Sequence, residues 1–139
     1  MPRVLLLLLA VALVAGCDSS DERPPRVIPP PTEFVLVYRV EPTETMGAPT
    51  VDAIRYVGAN GEEGTLRNVS LPWSISLRAP VGVDRVYSLE SEVTVGGDVT
   101  GMIATILVDG DPKSQGVVAG ESGGFNRTRT ARASWRYRP

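Results

Sequence analysis

Histidine is absent from the 139 residues, cysteine occurs once, and lysine occurs once among fourteen basic residues. Without histidine the chain lacks the usual base of Ser-His and Cys-His catalysis and a common nitrogen ligand of zinc and copper. A single cysteine excludes an internal disulfide. The near-exclusive use of arginine reads as genome composition before function. No apolar run reaches the roughly 20 residues that a membrane-spanning helix needs. Nowhere does an apolar period of 3.6 persist, as an amphipathic helix would require. The formal charge of −2 carries no basic excess of the kind that nucleic-acid binding uses. These absences set aside most enzyme, metal-site and nucleic-acid classes before any motif is considered.

What is there begins with the position of the lone cysteine, directly behind the longest apolar run. Arg3 and the amino terminus supply positive charge, Val4 to Ala15 are apolar without interruption, and Gly16 is small. Positive start, short apolar middle and small residues at the end make the layout of a cleaved secretory signal peptide. Val14-Ala15-Gly16-Cys17 resembles the lipobox of bacterial lipoproteins, in which the cysteine becomes the first residue and carries lipid on its sulfur. The resemblance implies a signal peptide over residues 1–16, a lipidated Cys17, and a protein anchored at a membrane of the bacterial envelope. One acyl chain, at about 0.8 kcal/mol per buried methylene, holds only marginally, whereas the several chains of a mature lipoprotein anchor stably. Asp18 resembles the inner-membrane retention signal of enterobacteria, while the acidic CDSSDE run resembles surface-export signals of other Gram-negative phyla; both membranes stay open. Residues 18–32, DSSDERPPRVIPPPT, hold five prolines. Extended polyproline geometry rises about 3.1 Å per residue, so Cys17 and this segment read as a semi-rigid tether reaching roughly 45 Å.

From Glu33 to Pro139 the period is two. FVLVYRV (Phe34 to Val40) is rich in β-branched and aromatic residues, and AIRYV and GTLRNVS flank GANGEE, whose Asn60-Gly61 signals a hairpin. WSISLRA sets Trp73, Ile75 and Leu77 on one face. VYSLESEVTV sets Tyr87, Leu89, Val93 and Val95 inward. MIATILV (Met102 to Val108) reads as a more buried strand ending in the turn Asp109-Gly110, and GVVAG and RTRTARASWRYR complete the set. About seven short strands punctuated by Gly, Pro, Asn and Asp predict an all-β, antiparallel immunoglobulin-like β-sandwich.

Two stretches of this domain, LPWSISL (Leu71 to Leu77) and IATILVDG (Ile103 to Gly110), resemble the MmpS family of small mycobacterial proteins, accessories to MmpL exporters of the RND type. VLVYRVEP (Val35 to Pro42) and AIRYVGANGEEG (Ala53 to Gly64) fall in the family's order. The likeness covers roughly residues 34–119. It implies a sandwich fold and a role beside a membrane exporter. The chain departs from the family in carrying a lipoprotein signal where MmpS proteins have a transmembrane helix. It also has Ala104 where the family usually has a cysteine paired with a second one near the end.

The motifs that suggest chemistry are thin. GESGG (Gly120 to Gly124) matches the G-x-S-x-G pattern, but Ser122 has no histidine to act as its base and no helix to follow it. Asp109 and Asp111 give too few oxygens for Ca²⁺, which takes six to eight, and read as turn residues. Glu62-Glu63 and Glu90/Glu92 read as solvated hairpin faces. No catalytic residues, cofactor or metal are therefore expected, and the protein reads as a non-enzyme. One surface stands out. Arg127, Arg129, Arg132, Arg136 and Arg138, with Trp135 and Tyr137 among them, crowd the C-terminal segment with no acid between them. They form either an anion or partner strip using guanidinium forks and stacking, or an edge strand guarded by charge and paired with the acidic strands. The functional expectation is a lipid-anchored envelope protein, non-enzymatic, serving as accessory to an exporter. The alternative is a small-ligand or polymer-binding module using loops such as Gly96 to Gly101 or Gly120 to Asn126.

The lipobox assignment has a direct check. Cys17→Ser is expected to release the protein from the membrane fraction or to block its processing, read by fractionation and by the mass of the mature chain; an unchanged distribution and mass refute it.

Overall fold

The computed structural model describes residues 27–43, 49–94, 101–118 and 128–139. The signal peptide, Cys17, most of the tether, Arg127 and Ser122 lie outside the described residues. Among the described residues eight strands form in chain order: β1 (Glu33–Pro42), β2 (Thr50–Val57), β3 (Glu63–Ser70), β4 (Trp73–Pro80), β5 (Arg85–Thr94), β6 (Met102–Val108), β7 (Asp111–Val118) and β8 (Thr128–Tyr137). They make two antiparallel four-stranded sheets, ordered β4-β1-β6-β7 and β3-β2-β5-β8. The expected β-sandwich is what the chain forms. Its likeness to the immunoglobulin architecture lies in two packed antiparallel sheets, while the strand order is its own. Only β2–β3 and β6–β7 are joined as hairpins within one sheet; every other link passes from one sheet to the other.

Alternation decides which side of each strand is buried. Phe34, Leu36, Tyr38 and Val40 of β1 face Tyr87, Leu89 and Val93 of β5 across a single core that also takes Met102, Ala104, Ile106 and Val108 from β6. Ala104 is fully buried. Ser91 follows the same inward parity, and its hydroxyl is buried without a hydrogen-bond partner among the described residues. Aromatic residues gather at two places. Phe34 lies edge-on to Tyr87 and Trp135 and stacks on Tyr137 at 5.1 Å, joining the start of the first strand to the end of the last. Tyr38, Tyr56 and Trp73 form the second group, with centroids 5.7 and 5.9 Å apart. Burial pushes the Tyr38 hydroxyl well above the usual phenol range, helped by Tyr87 and Glu62; it donates to the Val57 carbonyl at 2.5 Å.

The turns differ in part from their sequence signals. Asp109 and Gly110 both take positive φ, 51° and 89°, as a two-residue type I′ hairpin requires. The strand after it therefore starts at Asp111, well before GVVAG. Pro112 and Lys113, which look like loop residues, sit on an edge strand beside a bulge at Ile106/Leu107, where a proline is tolerated. At Asn60-Gly61 only Gly61 has positive φ, 93°. The Gly61 N–H donates to the Gly58 carbonyl at 3.0 Å and the Gly58 N–H to the Glu62 carbonyl at 2.7 Å, the pattern of a type I turn followed by a glycine bulge. Arg85 bonds the Ala59 carbonyl and holds this loop down.

The two sheets meet most closely where edge strands β7 and β8 face one another. The Ser134 N–H donates to Ser114 Oγ at 3.0 Å. A Cβ on Gly116 would lie 1.9 Å from the Arg132 carbonyl oxygen, so only glycine fits. Two small substitutions should thus move stability in opposite directions in urea unfolding. Gly116→Ala is expected to cost about 1–3 kcal/mol by forcing backbone apart, and Ser91→Ala to add about 1 kcal/mol by removing an unpaired buried hydroxyl.

Candidate functional site

Strand β8 divides the arginine-rich segment between its two sides. Arg129, Ala131, Ala133, Trp135 and Tyr137 share one side; Thr130, Arg132, Ser134 and Arg136 share the other, and exposed Arg138 follows the strand. Trp135 and Tyr137 are committed to the aromatic group around Phe34, with Trp135 also stacked on Tyr87. Arg129 is half-buried on that inward side. Arg132 Nε donates to Glu90 Oε1 at 3.0 Å. Arg136 grips Asp84 with two bonds of 2.9 and 2.7 Å. The Arg136 fork holds the Asp84 carboxyl below the usual carboxylate range, and Asp84 in turn raises Arg136.

These pairs belong to a wider pattern on the outer face of β3-β2-β5-β8. The register places Thr65, Arg55, Glu90 and Arg132 in one row across all four strands. Glu92 closes the set by accepting from Arg55 at 3.1 Å. Exposed ion pairs contribute little stability each, about 0–1 kcal/mol. Here they alternate in sign across the sheet, so the face is charged yet internally matched. A depression of about 190 Å³ opens in it, lined by Arg55, Tyr56, Gly64, Thr65, Ser88 and Glu90 among others. That is smaller than the roughly 300–1,000 Å³ of ordinary small-molecule pockets.

The outer face of β4-β1-β6-β7 is aliphatic over β1, β6 and β7, while β4 adds Ser74, Ser76 and Arg78 to it. Val35 and Val37 from β1, Ile103 and Leu107 from β6 and Val117 from β7 point away from the core. Val37 pairs with Leu107, and Ile103 with Val117. Val35 is 39% exposed and Val117 57%. Thr105 sits among them at only 8% exposure and takes a hydrogen bond from the Gln115 amide at 3.4 Å. Arg39 and Glu41 continue the same side of β1. Antiparallel strands with one solvated face ordinarily alternate apolar with polar. FVLVYRV and MIATILV are apolar at nearly every position, and that uninterrupted run is the sequence signal for this face.

The remaining sequence candidates are placed simply. Asp109 accepts the Val35 N–H through Oδ1 and donates its own N–H to the Val35 carbonyl, both at 2.8 Å, so it clips the hairpin to β1. Asp111 lies 3.7 Å from Lys113. Among the described residues no three His, Cys, Asp or Glu groups gather as metal ligands. Of the two loops suggested as ligand sites, only Gly101 falls among the described residues. No protein-family model matches the chain, and no curated protein matches it significantly.

The Asp84–Arg136 fork generates a pH dependence. A carboxyl held below its unfolded-state pKa adds stability above that value and loses it as pH falls through the folded-state pKa. The stability difference between the wild type and Asp84→Asn, from urea midpoints, should therefore be present at neutral pH. It should shrink to nothing below the carboxylate range.

Proposed function

We propose that the chain is a lipid-anchored, non-enzymatic envelope protein whose β-sandwich docks a membrane partner. We take that partner to be an exporter of the RND/MmpL-like type. The observation that carries the docking reading is the aliphatic outer side of β1, β6 and β7. Val35, Val37, Ile103, Leu107 and Val117 are turned outward on a sheet whose partner sheet carries matched charges on its own outer side. Contiguous exposed apolar residues of this kind mark interaction surfaces. The exporter reading draws on the MmpS likeness of Leu71 to Leu77 and Ile103 to Gly110. The anchor draws on the lipobox-like residues up to Cys17. The non-enzymatic reading draws on the absence of histidine from the sequence. A second reading, binding of a small ligand or an anionic envelope polymer, is favoured by the depression near Arg55 and by the outward Arg132, Arg136 and Arg138.

Site-directed crosslinking in native membranes separates the two. A photocrosslinker attached to Val37→Cys is expected to capture a membrane exporter identified by mass spectrometry, and the same probe on Arg132→Cys is expected not to. Val37→Asp, placed with the probe on Leu107→Cys, should abolish the capture. No protein adduct from either face, together with polymer or anionic-vesicle binding that Arg132→Ser, Arg136→Ser and Arg138→Ser remove, would establish the second reading in its place.

A further inference from the structure

A sandwich of two open sheets has four edge strands, and each is a template for pairing unless something blocks it. Here the four differ. Strands β7 and β8 occupy one another, since the Ser134 N–H is already bonded to Ser114 and Gly116 lies against the Arg132 backbone. Pro112 and Lys113 further guard β7. On β8 an antiparallel self-pair centred on Ser134 would set Arg132 against Arg136 of a second copy, and directly opposed like charges repel. Strand β3 is interrupted at Asn68, whose φ of 53° leaves it out of the register with β2. Strand β4 has none of these devices. Its residues from Trp73 to Ala79 hold no proline, no positive φ and one charge, Arg78.

Among the described residues the outer edge of β4 is unpaired, and it is also arranged for one particular partner. The Val81 N–H bonds the Thr32 carbonyl, which makes Val81 and Thr32 a hydrogen-bonded pair in the β1–β4 register. Hydrogen-bonded and non-bonded positions alternate along an antiparallel ladder. The backbone groups of Ala79, Leu77, Ile75 and Trp73 are therefore used toward β1, and those of Ser74, Ser76 and Arg78 point away from the sheet. Ser74, Ser76 and Arg78 are exposed, while Trp73, Ile75 and Leu77 are only half-buried at the rim of the core.

We propose that the chain forms a two-fold dimer by antiparallel pairing of β4 with β4 of a second copy, centred on Ser76, joining two four-stranded sheets into one of eight strands. In that register Ser76 pairs with Ser76 and Ser74 with Arg78, so every outward-pointing N–H between the prolines gains an acceptor. No like charges meet. Ile75 falls opposite Leu77 at a non-hydrogen-bonded position, where side chains come closest, and Trp73 falls opposite Ala79. Pro80 falls opposite Pro72, so the ladder ends on each side where neither chain has an N–H to offer. The same patch serves both copies, as an isologous interface demands. The pairing uses only β4 and stands independently of the lipid anchor and of the exporter reading.

Sedimentation velocity of the full-length chain in mild detergent tests this. The wild type is expected to sediment as a dimer at micromolar concentration. Ser76→Pro removes an N–H that faces outward, and should give a monomer with an unchanged β-type circular dichroism spectrum. Ser76→Lys sets two ammonium groups opposite each other and should raise the dissociation constant by about tenfold or more. Oxidation of Ser76→Cys should yield a covalent dimer above the level given by the wild type, whose only cysteine is Cys17, and Ser74→Cys should not. A wild type that stays monomeric at high micromolar concentration overturns the proposal. So does a dimer that survives both substitutions, or equal crosslinking of Ser74→Cys and Ser76→Cys.

Discussion

The close passage of β7 across β8 is the contact on which the rest of the domain depends. With no disulfide available, the sheets are joined on that side by backbone set against backbone, and the fit is possible because Gly116 offers no side chain to the Arg132 carbonyl. Close packing there fixes the spacing of the two sheets at one rim. The opposite rim, between β3 and β4, is filled instead by large side chains, Tyr38, Tyr56 and Trp73, which bridge a gap that main chains do not close. Most of β3 is exposed as a result, and Trp73, Ile75 and Leu77 of β4 are covered only in part.

This asymmetry separates the chemistry of the surfaces. One outer face alternates arginine with glutamate in register across the strands, so its charges answer one another and present little net field. The other carries aliphatic side chains on β1, β6 and β7, with Ser74, Ser76 and Arg78 of β4 along its far margin. Strand β1 is central in its sheet, pairing with β4 and β6, and its outward Val37 lies between Leu107 of β6 and Ser76 of β4. An outward valine costs the isolated fold little, but a row of them loses water favourably only when something covers it.

Most of the fold was legible because strand alternation is a local property. Trp73, Ile75 and Leu77 share one side, and Tyr87, Leu89 and Val93 line the core, as the pattern of two predicts. The misses have physical causes. Strand β7 hides behind Pro112 and Lys113, residues that oppose a ladder but suit an edge. Asn60 stays out of positive φ because a type I turn with a glycine bulge needs only Gly61 there. The arginine segment reads in sequence as one cluster, yet β8 sends Trp135 and Tyr137 into the aromatic group around Phe34, and only knowledge of the opposing strand supplies Glu90 and Asp84 as partners. The aliphatic face was visible in FVLVYRV and MIATILV as composition, but its outward half became a surface only once β1 was known to pair with β6.

The crossing pattern of the strands bears on how the chain can acquire this structure. Phe34 of the first strand is packed by Tyr87, Trp135 and Tyr137, and β1 pairs with β4 and β6 instead of its sequence neighbour. Apart from the hairpins β2–β3 and β6–β7, the strand pairs that hold the domain therefore close long loops, a condition that slows folding. The fold has no early half. Until β8 arrives, Phe34 lacks Trp135 and Tyr137 and β5 lacks one of its two partners, so the core is incomplete without that strand.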